Sequence, residues 1–100
     1  MVKCVACGSG SPVGLGSISR LAQGNEEIYS LYRCTDCGKY LLDCSEDIFM
    51  SISDEPDPRW VMGPYDKAKG ERLAQLIAEC PDPYDKYCDC AAHVRFFKEV

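Results

Sequence analysis

A small α+β fold held together by metal is the class this sequence predicts. Three observations point to it: eight cysteines in 100 residues, strand-like runs concentrated in the first half, and an amphipathic helical stretch in the second. A chain of this length buries only about two thirds of the surface it exposes when unfolded, so residues 1–100 read as a single domain around one core. The composition, 46% apolar and 27% charged, is that of an ordinary globular protein, but the apolar set includes the eight cysteines. At that density thiols act as cross-links or metal ligands, and the core left to true hydrophobes is small.

Which of the two roles the thiols play follows from compartment and spacing. No apolar run of signal-peptide length follows Lys3, and nowhere are there the roughly 18 uninterrupted apolar residues of a membrane span, which reads as a soluble, cytoplasmic protein with no membrane partner. A reducing cytosol keeps cysteines as thiols. Four of them stand in two Cys-x-x-Cys pairs, the spacing of metal ligands, so metal is favoured over disulfides.

Cys4-Val5-Ala6-Cys7-Gly8 opens the chain. The glycine- and serine-rich residues 9–19 lack helical periodicity and predict a loop with at most a short strand at its end. Residues 27–33, rich in aromatic and branched side chains, predict a strand running into Cys34, and residues 39–44 a strand returning from Cys37-Gly38. In residues 47–53, Ile48, Met50 and Ile52 share one face at period two and predict a third strand. Two prolines and three acids in residues 54–58 then close the sheet portion, residues 1–53.

Residues 54–100 predict a helical segment. Within 65–80, Leu73, Leu76, Ile77 and Cys80 fall at i, i+3, i+4 and i+7, the buried face of an amphipathic helix ended by Pro81 and Pro83. Residues 91–99 predict a second short helix capped by Asp89, with His93 and Phe97 four apart and Val94 and Phe97 three apart.

Two metal sites are expected. Cys4, Cys7, Cys34 and Cys37 form two Cys-x-x-Cys-Gly units. The two-residue spacer turns both sulfurs of each unit toward one tetrahedral ion, and the glycine after it takes positive φ so that backbone N–H groups face the thiolates. Four soft thiolates suit Zn²⁺. Cys80, Cys88, Cys90 and His93, the only histidine, crowd into 14 residues and make a second, Cys₃His zinc site. Cys44 is then the odd thiol, either buried beneath the sheet or exchanging with Cys80 as fourth ligand.

The knuckles Cys4-Val5-Ala6-Cys7-Gly8 and Cys34-Thr35-Asp36-Cys37-Gly38 resemble those of the zinc-ribbon and rubredoxin-like superfamily, over residues 1–53. The resemblance implies a small antiparallel sheet with the ion between the knuckles. It leaves function open, because that fold serves transcription factors, ribosomal proteins and enzyme appendages alike. Rubredoxins hold iron in the same geometry and are acidic too, which gives rubredoxin-like or iron–sulfur electron transfer as an alternative. Three cysteines and a histidine also hold the [2Fe–2S] cluster of CDGSH-type proteins, but in a ligand order unlike Cys-x₇-Cys-x-Cys-x₂-His.

Charge narrows the function. The formal net charge of −5 comes from one stretch: residues 43–58 hold Asp43, Glu46, Asp47, Asp54, Glu55 and Asp57 and no cation, while the remaining 84 residues together carry +1. Thiolate-bound zinc deepens the negative balance, and a basic footprint for nucleic acid is missing. A nucleic-acid-binding ribbon, with Tyr29, Tyr32, Tyr40, Arg33 and Lys39 as a stacking strip, is the second reading. No catalysis is expected: the one histidine is consumed as a ligand, and neither a His-x-Glu deaminase signature nor a phosphate loop is present. The expected function is a protein-interaction or regulatory module, such as an inhibitor or immunity-type protein, whose acidic segment meets a basic partner.

Overall fold

The computed structural model describes residues 3–8, 10–22, 24–47 and 58–100. Four strands, β1 (Pro12–Ala22), β2 (Asn25–Cys34), β3 (Tyr40–Asp47) and β4 (Arg59–Tyr65), form one antiparallel sheet in sequence order. Two helices, α1 (Lys67–Glu79) and α2 (Ala91–Glu99), follow. β2 and β3 lie in the centre because their sequences alternate: Tyr29 and Leu31 on one, Tyr40, Leu42 and Cys44 on the other, are buried with Ile18 of β1. Onto this face α1 brings Leu73, Leu76 and Ile77, and α2 brings Phe96. Tyr29 sits at the junction, its ring edge-on to Trp60, Phe96 and Phe97 at centroid distances of 6.1, 6.3 and 5.1 Å.

β1 corrects the expectation of a loop over residues 9–19. Its glycines hide the strand signal, and at Gly16 an added side chain would press on a core neighbour, whereas Gly14 is exposed and has ordinary room for one. A Cβ at Gly16 would lie 3.2 Å from Ile77, and one at Gly14 3.5 Å from the Tyr32 ring. Only Ile18 remains as an apolar inward mark, while Val13 and Leu15 are exposed. A register shift between Gly14 and Gly16 breaks the alternation further. The strand is nonetheless paired along its length with β2, and the Ser17 and Ser30 hydroxyls meet across the pair at 2.8 Å.

β4 also departs from expectation, since the sheet does not close at residue 53 but runs to Tyr65. Only three apolar residues, Trp60, Val61 and Met62, precede Gly63-Pro64, too short a run beside a strong breaker to read as a strand. Of the third strand expected over 47–53, Asp47 is the last residue of β3, and residues 48–53, with Ile48, Met50 and Ile52, lie outside the described residues.

The helices fall where the periodicity places them. α1 starts later than residue 65 because Asp66 caps it, accepting from the Lys69 amide at 2.8 Å. It stops before Cys80, whose amide closes the last turn on the Leu76 and Ile77 carbonyls. α2 is capped by Cys90 rather than by Asp89: the Cys90 sulfur accepts from the His93 amide at 3.3 Å.

Gly70 of α1 lies directly on the buried Tyr40 ring, and a methyl group built there falls inside the contact distance of the ring carbons. Alanine is the better helix former by about 1 kcal/mol, but overpacking a core costs about 1–3 kcal/mol and decides the sign here. Gly70→Ala should therefore lower the stability of the metal-loaded protein. A denaturant midpoint at or above that of the parent would show that α1 can lift from Tyr40 at no cost.

Candidate metal centres

The two N-terminal knuckles have the same backbone. Gly8 and Gly38 each adopt φ +75°, and each donates its amide to the carbonyl of the first cysteine of its own knuckle, Gly8 to Cys4 at 2.8 Å and Gly38 to Cys34 at 2.9 Å. A side chain at this φ is strained, so the glycine after each Cys-x-x-Cys closes the turn. The second knuckle is the turn joining β2 to β3, held by the Cys34 amide on the Lys39 carbonyl at 2.9 Å. In each knuckle the first cysteine is buried and the second exposed.

These turns bring the Cys4, Cys7, Cys34 and Cys37 sulfurs within 4.8 Å of one another. Cys4 Sγ stands 3.5 Å from Cys37 Sγ, and Cys7 Sγ 3.7 Å from Cys34 Sγ. Zinc–sulfur bonds of about 2.3 Å at the tetrahedral angle give sulfur–sulfur edges of about 3.8 Å, which these two edges match closely. The thiol of Cys4 is drawn down to about 7, chiefly by the Cys7 amide with the Ala6 amide assisting against partial burial, so thiolate forms readily at this end of the sheet.

The second cluster gathers around the helix ends. Cys80 terminates α1, Cys88 belongs to the connecting loop, and Cys90 and His93 open α2. The ligand atoms of Cys80, Cys88 and His93 lie within 4.8 Å of one another. Cys80 Sγ is 3.7 Å from Cys88 Sγ, 3.5 Å from Cys90 Sγ and 3.3 Å from His93 Nδ1. Burial pushes the Cys80 thiol up to about 12, while the His93 amide draws Cys90 down.

His93 is buried at 3% exposure, and its Nε2 lies 2.7 Å from the carbonyl oxygen of Ser19 on β1. A carbonyl only accepts, so Nε2 carries the hydrogen. In the neutral ring Nδ1 is then unprotonated, with its lone pair turned toward the thiols. An imidazole oriented by a backbone carbonyl through one nitrogen and presenting the other is the usual arrangement of a metal-ligating histidine. Ser19 has no sequence signal for this role; only the pairing of β1 with the loop places it. Its amide donates to Pro83 O at 2.8 Å and its hydroxyl to Tyr84 O at 2.9 Å, while Leu21 N donates to Lys86 O at 3.3 Å. The loop thus covers part of the open edge of β1 and ties the second cluster to the sheet.

Cys44 belongs to neither cluster. It is fully buried in the core on β3, and desolvation, with the charges of Asp43 and Glu27, pushes its thiol up to about 12. This leaves roughly a thousandfold less thiolate than an ordinary cysteine has. Iodoacetamide should therefore spare Cys44 in the native protein, and, once metal is chelated, label Cys7 and Cys37 before it. Peptide mass mapping that finds Cys44 labelled early would remove it from the core.

Other expected features are rearranged. Tyr29 and Tyr40 are only 5% exposed, so the stacking strip loses two of its three rings to the core. Within the acidic stretch, Asp43 is bound to Arg59 at 2.6 Å and Glu46 accepts from Asn25 at 2.9 Å. Asp54, Glu55 and Asp57 lie outside the described residues. No described helix is long and apolar enough to cross a membrane. No protein-family model, curated protein or solved structure matches the chain.

Proposed function

We propose that this chain is a cytoplasmic two-zinc protein in which both ions are structural, one between zinc-ribbon-like knuckles and one in a Cys80, Cys88, Cys90 and His93 site. On this scaffold it acts as an interaction module for a basic protein partner. The reading is carried by His93, whose Nε2 hydrogen is committed to the Ser19 carbonyl while Nδ1 faces the thiols. Ligand edges of 3.3–3.7 Å suit a single ion at each site, whereas a bridged iron–sulfur cluster spreads its ligands over two or more metals. Four protein ligands at the first site, and at the second Cys80, Cys88 and His93 with Cys90 Sγ 3.5 Å from Cys80 Sγ, would fill a tetrahedral shell and leave no position for a reactive water, which speaks for structure rather than catalysis.

The interaction half rests on charge. The chain is net negative before thiolates are counted, which favours a cationic protein surface and disfavours nucleic acid. Native mass spectrometry tests the first half: two zinc ions per chain are expected, and a single ion or a visible iron absorption band would refute it. Pull-down from the native host with elution by salt tests the second, and recovery of nucleic acid in place of a basic protein would overturn it.

A further inference from the structure

The loop of residues 81–89, between α1 and α2, presents two tyrosines that stand outside the core. Tyr84 and Tyr87 are each 69% exposed, more than any other large apolar side chain described. Their loop is not loose chain. It is pinned to β1 through Ser19 and Leu21, turned internally by Asp85 N on Asp82 O at 3.2 Å and Cys88 N on Asp85 O at 3.0 Å, and drawn together near its ends, where Cys80 Sγ and Cys88 Sγ stand 3.7 Å apart. Tyrosines carried on an ordered loop are typical anchors of protein recognition, because each buries a large ring at the cost of fixing only two side-chain torsions.

The charges around the rings select the partner. Asp82, Asp85 and Asp89 are exposed in the same loop, and its one cation, Lys86, is paired with Glu26 at 3.6 Å. The Lys86 ammonium also lies 5.5 Å from the Tyr87 ring centroid, so a cation already rests against one of these rings. A Cys₃His zinc site beneath would add a further negative charge. Guanidinium groups stack on aromatic faces and pair with carboxylates, where ammonium groups offer only a point charge.

From this we infer that the 81–89 loop is the docking surface for an arginine-rich segment of a protein partner, with Tyr84 and Tyr87 stacking guanidinium groups and Asp82 and Asp85 pairing them. The inference rests on the proposed reading of the chain as a module for basic proteins and names the surface that does it.

The test uses the zinc-loaded chain and two labelled peptides, hexa-arginine and hexa-lysine, with affinity read by fluorescence anisotropy at low and physiological salt. Hexa-arginine should bind several-fold more tightly, because a guanidinium stacks on a ring and pairs with a carboxylate at once, whereas an ammonium makes the ring contact only as a point charge. Tyr84→Leu with Tyr87→Leu should abolish that preference while native mass spectrometry still counts two zinc ions. Asp82→Asn with Asp85→Asn should weaken both peptides and flatten the salt dependence. The turn survives the second change, because an asparagine side-chain oxygen at position 85 can still accept from the Tyr87 amide, as Asp85 does at 2.9 Å. Equal affinity for the two peptides, or a preference that survives the tyrosine changes, would overturn the inference. Binding lost only on changing Asp54, Glu55 and Asp57 to Asn, Gln and Asn would move the surface to that segment and leave the basic-partner reading standing. Binding of neither peptide would overturn both.

Discussion

Removing both metal ions with a chelator should unfold this protein rather than loosen it. A structural zinc site contributes about 10–16 kcal/mol of apparent binding energy, while a domain of this size has a total stability of about 5–15 kcal/mol, so the loss of two sites exceeds what the core can supply. The core is small: Ile18, Leu31, Leu41, Leu42, Leu73 and Phe96 are its main fully buried hydrophobes. The first knuckle would depend on an ion most directly, since residues 3–8 belong to no strand and meet the second knuckle through sulfurs at 3.5 and 3.7 Å. Without metal those four groups are thiols or mutually repelling thiolates. Circular dichroism and amide proton dispersion should collapse together on chelation and return on adding one equivalent of zinc per site. A chelated chain that keeps its near-ultraviolet spectrum and a cooperative thermal transition would show that the hydrophobic core suffices alone.

The parts of this architecture legible in the sequence are those where chemistry and spacing coincide. The repeated Cys-x-x-Cys-Gly gives a turn whose glycine must take positive φ, and Gly8 and Gly38 do so with matching hydrogen bonds. Leu73, Leu76 and Ile77 mark the buried face of α1 because a helix has a period that side chains must obey. Where the fold relies on a missing side chain the signal vanishes: Gly16 lets Ile77 approach β1, and together with Gly14 it makes the strand look like a loop. The cap of α2 is obscured differently, for Asp89 is the better general capping residue but Cys90 occupies the position, its sulfur taking the His93 amide. The partner of His93 is beyond the reach of sequence reasoning, since a backbone carbonyl 74 residues away carries no residue-type signature.

That partnership makes His93 the single side chain whose loss should do most damage. His93→Ala should release the second ion and leave the first, because Cys80, Cys88 and Cys90 would retain three thiols without the imidazole that completes the shell. Two further losses accompany it: the Ser19 carbonyl is left buried without its 2.7 Å donor, and the ring no longer packs at 5.5 Å against Phe97. The cost is about 10 kcal/mol or more in apparent metal binding, and about 1–3 kcal/mol for the orphaned carbonyl. His93→Gln separates the two effects, because its amide can still donate to a carbonyl but offers no imidazole lone pair, and it should lose the same ion. Cys44→Ser should keep both ions and cost only the burial of a hydroxyl, about 1–3 kcal/mol. The local signature is amide exchange: α2 and residues 81–90 should lose protection in the His93 variants while the β2–β3 pair stays protected. Two ions retained in both His93 variants, together with one lost in Cys44→Ser, would assign the second site to Cys44, Cys80, Cys88 and Cys90 and return His93 to an ordinary buried histidine bonded to a strand.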